Sequence, residues 1–209
     1  MPMNTDTLRV TGRFTHVNDF QPKIDVGQVA QRTLQEYAVD LATCRIHDNY
    51  GVVLPNAGAT DDLGLVGGTL GTAAPSLQTE DLKTAGLTWN YARFQATLPP
   101  EYVAGETVII RVVAGMITTV ADTTAFVDVQ CYENEEDNTV SADLCTTAET
   151  TINALIATQT TVDFAITATT LSPGSVLDVR IGTKVTDGAG GAAVIGCITK
   201  ISLLCDTQG

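Results

Sequence analysis

Lysine is scarce in this sequence: 4 of 209 residues, within a basic complement of 11 that faces 24 acidic residues. The resulting net charge of −13 argues against nucleic acid as a partner, because phosphate binding rests on clustered Lys and Arg. Charged residues make up 17% of the chain and hydrophobic ones 44%, which is a globular balance rather than that of a disordered chain. Histidine is nearly absent. His16 and His47 are the two present, neither in a nucleophile-elbow context nor beside a cysteine in a local pattern, so no catalytic residue is assigned and no enzyme activity is expected.

No apolar run reaches the length of a membrane span, and the opening MPMNTDTLRV has no apolar core of a secretory signal. A membrane partner is therefore not expected, and synthesis in a reducing cytosol is. The five cysteines, Cys44, Cys131, Cys145, Cys197 and Cys205, are odd in number and form no CxxC pair, which fits neither a disulfide framework nor a zinc site. They read as buried free thiols. A Cys131–Cys145 bridge would close an acidic turn, although a cytosolic origin counts against it.

What the chain has in abundance is β-branched residue, with 33 Thr and frequent Val and Ile, together with 18 Gly. Such side chains fit a pleated surface and lose rotamer freedom in a helix. The expected fold class is all-β: an antiparallel sandwich or jelly roll, preceded by an arm. Residues 7–17 (TLRVTGRFTHV) alternate as a half-buried strand, with Arg9 and Arg13 on one face and Phe14 on the other. After a break at Pro22, Asp25 and Gln28 stand in capping-box relation. Val26, Val29, Ala30, Leu34 and Tyr37 then recur at helical spacing, predicting a helix over about 26–37. Residues 1–37 are thus read as an N-terminal arm and 38–209 as the body. The charge divides similarly, residues 1–32 summing to +1 and the remainder to −14.

Within the body, strands are expected near 39–47, 89–97, 107–119, 124–132, 161–169, 175–186 and 192–205, separated by turn signals such as Pro99-Pro100, Pro173-Gly174 and DGAGG at 187–191. Residues 51–87 read as a long, weakly patterned loop, a length that is usually functional. The last strand is apolar on both faces, so it is central or lies in a subunit interface. The interface alternative predicts a homotrimer. On a regular strand Cys197 and Cys205 would share a face about 26 Å apart, too far to bridge, each reduced and buried.

Three strings invite chemistry. GLVGGTLG at 64–71 lacks the Lys-Ser/Thr of a phosphate loop and a following helix, so it reads as a flexible connector and no cofactor is expected. CYENEEDNTVSADLC at 131–145 gathers Glu133, Glu135, Glu136, Asp137 and Asp143. Carboxylates at this density can ligate Ca²⁺, but the spacing is not that of an EF-hand, so the string reads as a solvated acidic turn and no metal is expected. In TWNYARFQ, Trp89 and Tyr91 share strand parity. They are either core residues under the long loop or an exposed strip suited to sugar contact.

ATDDLGLVGGTLGTAAPSLQTEDLK, YARFQATLPPEYVAGETVIIRVVAGMITTVADTTAFVDVQCY, DFAITATTLSPGSVLDVRIG and the closing VIGCITKISLLCD resemble segments of tailed-bacteriophage virion proteins, the auxiliary head proteins called cement or decoration proteins. The resemblance covers roughly residues 50–206. It implies a non-enzymatic β-sandwich that sits on the outside of the phage head, often as a trimer, with the major capsid protein as partner and the virion as location. Its motifs are turns and strand patterns, so it transfers no functional residue. Arg9, Arg13 and Phe14 of the near-neutral arm are the candidate docking residues, unless their strand completes the protein's own sandwich. The rival expectation is a carbohydrate-binding or adhesive sandwich of a fibre or tail, in which Trp89 and Tyr91 would contact sugar.

Overall fold

Alternation of buried and more exposed side chains shapes strands such as Thr88–Thr97, Thr124–Asn134 and Thr160–Ile166, because side chains on a pleated chain point alternately to opposite faces. In Thr124–Asn134, for example, Ala125, Val127, Val129 and Cys131 are buried while Phe126, Asp128 and Gln130 lie half-exposed between them. The computed structural model describes residues 32–83, 87–135, 137–188 and 191–208. Its strands are β1 (Arg32–Val39), β2 (Gly64–Val66), β3 (Ser76–Gln78), β4 (Thr88–Thr97), β5 (Val108–Met116), β6 (Thr124–Asn134), β7 (Thr150–Thr151), β8 (Thr160–Ile166), β9 (Val176–Thr186) and β10 (Gly196–Gln208).

The strands form two antiparallel sheets. Sheet I runs β2-β3-β10-β5-β8, with β1 also paired to β10, and sheet II runs β4-β9-β6-β7. From β3 onward the chain alternates between sheets at every step except β6 to β7, which is the order of an eight-stranded jelly roll. Residues from both sheets, among them Phe94, Ile110, Val129, Phe164, Ile181 and Ile201, share one core. Phe94 and Phe164 are completely buried, each worth roughly 1.5–3 kcal/mol of transfer free energy.

The doubly apolar final strand has its explanation inside the chain. β10 is central, with β5 along one edge in register from Gly196↔Met116 to Cys205↔Val108, and with β3 and β1 as its other partners. It therefore does not by itself call for a subunit partner. A register shift between Ile198 and Lys200 also reverses the strand's parity. Ile198, Ile201, Leu203 and Cys205 face the shared core whereas Cys197, buried beside Ser76, does not. The two cysteines are free and buried as expected, but they do not share a face. Cys131 and Cys145 are free as well.

Several expectations require correction. Of the helix read over 26–37, residues 26–31 lie outside the described residues. Residues 32–37 are strand β1, with Arg32 opposite Gln208 and Val39 opposite Ile201. Eight residues of antiparallel pairing override a local helical pattern whose intrinsic worth is a few tenths of a kcal/mol per residue. The strand read over 39–47 is instead interrupted: Val39 ends β1, a turn follows, and Arg45 returns to antiparallel bridges with Val53 and Arg93. Asp40 Oδ1 accepts the Ala42 N–H at 2.9 Å and caps a single 3-10 turn, Leu41–Thr43.

The long 51–87 segment is pinned rather than loose. Tyr91 N–H donates to Asp61 O at 2.7 Å and Leu63 N–H to Tyr91 O at 2.8 Å, and on the other side Leu65 N–H donates to Pro55 O at 2.8 Å. Gly64 lies so close to the Ala57–Gly58 backbone that a Cβ there would sit 2.1 Å from a carbonyl carbon. GLVGGTLG, read as a connector, is β2 and the turn that leads to β3; Gly67, Gly68 and Gly71 take positive φ in that turn.

Candidate functional site

Sheet II turns its second face away from the core. In register across that face stand Trp89, Tyr91 and Arg93 of β4, Lys184, Gly182, Arg180 and Asp178 of β9, and Phe126, Asp128, Gln130 and Tyr132 of β6. Trp89 and Tyr91, half-buried, have nearly parallel rings 5.6 Å apart between centroids. Gly182, directly across from Tyr91, makes this possible: a Cβ there would lie 2.7 Å from the Tyr91 ring and 3.0 Å from Trp89. Cations line the same rings. The Arg180 guanidinium lies 4.6 Å from the Tyr91 centroid, and Lys184 Nζ lies 5.1 Å from Trp89 and 4.7 Å from Phe126.

Beside the rings is a cleft of about 280 Å³ lined by His47, Arg93, Gln130, Tyr132, Val140, Asp178 and Arg180. His47 and Arg180 join the two features, since the His47 ring also lies 4.9 Å from that of Tyr91. His47 is held by Asp62, whose Oδ1 is 3.2 Å from Nδ1, while Asp61 Oδ2 is 3.8 Å from Nε2. Arg93 and Asp178 form a fork-to-fork pair, with Nε donating to Oδ1 at 2.6 Å and Nη2 to Oδ2. Hydrogen bonding to Asp178 holds the guanidinium pKa above its ordinary value. Arg180 Nη2 donates to Gln130 Oε1, and Lys184 Nζ to Glu149 at 2.5 and 2.6 Å. Partial burial, reinforced by Glu149 and Asp143, pushes the Asp128 carboxyl above the usual carboxylate range.

These groups are equipped for recognition. The arginine bonds just described use two of Arg93's five N–H groups and one of Arg180's. The thiols are held neutral: burial pushes Cys44 up to about 12 and Cys145 and Cys205 up to about 11.

The expected site residues fall in different places. Trp89 and Tyr91 stand on the outer face, not in the core, and the loop residues Asp61–Leu63 pass alongside them. Arg9, Arg13 and Phe14 lie outside the described residues, as does Glu136. The other acidic-turn carboxylates do separate local tasks. Glu133 accepts from Ser175 Oγ at 2.7 Å, Asp137 from Thr139 N and Oγ1 at 3.0 and 2.6 Å with Glu135 3.3 Å from that same hydroxyl, and Asp143 from the N–H groups of Cys131 and Cys145 at 3.0 and 2.9 Å. Among the described residues no three metal-ligating side chains converge. No helix among them is long and apolar enough to cross a membrane.

Sequence reasoning missed His47, Arg93, Gln130, Tyr132, Asp178 and Arg180 as one site. A signal was present in VLDVRIGTKV, whose polar face carries Asp178, Arg180 and Lys184 around a glycine. Its register against TWNYARFQ was not readable from either string.

No protein-family model and no curated protein matches this sequence. Solved structures similar to it include a xylan-binding module, CBM15, at 14% identity and TM-score 0.46, covering 85% of this chain and 100% of that one. A Family 16 Carbohydrate Binding Module-2 matches at 14% identity and TM-score 0.37 over 71% of this chain and 88% of that one. A structure of infectious bursal disease virus, Gt strain, matches at 14% identity and TM-score 0.35, over 72% of this chain and 39% of that one.

Proposed function

We propose that this protein is a non-enzymatic structural subunit of a tailed-phage virion, an auxiliary protein that docks on the outside of the head shell and stabilises it. The supporting observation is where the resembling segments fall. They build β2 and β3 with their turn, most of β4, all of β5, nearly all of β6, much of β8 and β9, and most of β10, which is the framework of both sheets rather than one surface patch. A jelly roll is an architecture that viral capsid and lectin domains use, although a fold alone assigns no function.

A subunit that binds only the assembled shell contributes its binding free energy to that state alone. The major capsid protein is the partner in this reading, the protein itself assembles as a homotrimer, and Arg9, Arg13 and Phe14 of the arm dock. The decisive experiment adds purified protein to DNA-filled heads that lack it, followed by sedimentation and cryo-electron microscopy. Expected are co-sedimentation, external density at three-fold positions, and loss of both on deletion of residues 1–31. Absence of the protein from the sedimented heads, with all of it left in the supernatant, would refute the assignment.

A further inference from the structure

We infer that the outer face of sheet II is a binding site for a neutral oligosaccharide, with the cleft between His47 and Val140 taking one sugar ring and Tyr91 and Trp89 continuing the contact surface along the strand. The inference does not depend on the head shell being the protein's anchor.

Three observations select this ligand class. First, the cleft combines rings with planar hydrogen-bonding groups: His47 and Tyr132 beside Arg93, Arg180, Gln130 and Asp178. A pyranose presents the same combination, an apolar C–H face and a rim of vicinal hydroxyls. The two arginines keep donors beyond those spent on Asp178 and Gln130, and the fixed guanidinium fork suits adjacent hydroxyl oxygens. Secondly, the site has no surplus of cations. Arg93, Arg180 and Lys184 stand against Asp178, Glu149 and Asp128, with Asp61 and Asp62 at the His47 rim. In a chain of net charge −13, an anionic ligand would meet long-range repulsion without a surplus of cations to receive it. Thirdly, the surface is preorganised. Gly182 lets the rings lie close to the sheet, and cations, ion pairs and cross-strand partners hold each recognition group before a ligand arrives. About 280 Å³ is at the small end for ligand pockets, as expected for one ring of a longer chain.

Trp89 is the single tryptophan, so its emission reports the site directly. The full-length protein is titrated with hexasaccharides of glucose in α-1,4 and β-1,4 linkage, of mannose, galactose and N-acetylglucosamine, and with an oligogalacturonate as the anionic control. Fluorescence and calorimetry are read together. At least one neutral series should shift Trp89 emission with saturable heat, and the anionic control should bind more weakly. Arg180→Ala and Arg180→Lys should each weaken binding about tenfold or more, since Ala removes the charged donors and Lys, which keeps a charge, removes the planar fork that meets two adjacent hydroxyls. Arg111→Ala, on sheet I, should leave affinity unchanged, and circular dichroism checks the fold of each variant. The inference is overturned if no neutral series binds at millimolar concentration, if the anionic control binds best, or if both Arg180 variants bind normally. Head co-sedimentation of Arg180→Ala should remain intact, so loss of sugar binding and loss of shell docking are separable results.

Discussion

The Arg93–Asp178 pair is the sharpest place to test how sheet II is held, because its partners are unequally buried. The Asp178 side chain is 6% exposed and that of Arg93 31%. Replacing Arg93 by Met strands a carboxylate with almost no access to water. Breaking a buried pair in this way costs roughly 3–5 kcal/mol, and the neighbouring cleft, which admits some water, places the value near 3. Replacing Asp178 by Asn leaves the charge on the partner that already reaches solvent, and retains one acceptor for it. About 1 kcal/mol is expected. The double variant Arg93→Met with Asp178→Asn removes both charges and should lose about 1–2 kcal/mol against an additive expectation of about 4, giving a coupling energy of about 2–3 kcal/mol. For a chain of this size, 1 kcal/mol moves the thermal midpoint by about 2–4 °C, so the losses should be near 6–12 °C and 2–4 °C. Urea and thermal unfolding, followed by circular dichroism, measure all four proteins. An Asp178→Asn loss equal to or larger than that of Arg93→Met would refute the burial argument, and so would simple additivity in the double variant.

Asp128 has a pKa raised by burial, so its folded-state contribution is fully present below the ordinary value of 3.8 and is lost as pH rises through the raised one. Asp128→Asn should therefore match the parent in unfolding midpoint at low pH and become progressively more stable than it towards neutrality; a constant difference across pH would contradict the assignment. Gly64→Ala must displace the Ala57–Gly58 backbone and should cost at least about 1–3 kcal/mol, read as a lowered urea midpoint, whereas Gly174→Ala, with open space around it, should show only the smaller strain of its positive φ. With a maleimide or iodoacetamide at neutral pH, half-buried Cys145 should label first and Cys44, Cys131, Cys197 and Cys205 far more slowly; labelling of Cys44 before Cys145 would show that burial does not control reactivity here.

The principal strands of the jelly roll were legible because each carries an alternating pattern over seven or more residues, as in β4, β6, β8 and β9. β1 was not. Its residues are mostly exposed, so no buried face stamps a period of two on RTLQEYAV, and β10 alone decides its conformation. β2 and β3 are three residues each, too short for any period to register. The parity of Cys197 was lost to one extra residue in β10, a local irregularity that leaves no mark on composition. The same reasoning explains the candidate site. Trp89 and Tyr91 announced themselves as aromatics two apart, but the polar residues opposite them belong to strands that lie some 35 to 95 positions further along the chain. Register between distant strands is a tertiary property, set by the shared core and not by either segment.

The central place of β10 has a consequence for the order in which the molecule can be made. Of the ten strands among the described residues it is the last to leave the ribosome, and until it does β1, β3 and β5 have no common neighbour. Pairing Arg32 with Gln208 closes nearly the whole span of the described chain, and such non-local closure slows folding into the millisecond-to-second range typical of sandwiches. Sheet II can be completed once β9 has emerged, but sheet I waits with open, apolar edges. During that interval the nascent chain is most exposed to aggregation and most dependent on chaperones. Chains interrupted before Gly196 should accumulate as insoluble protein, while substitutions that leave β10 intact should not.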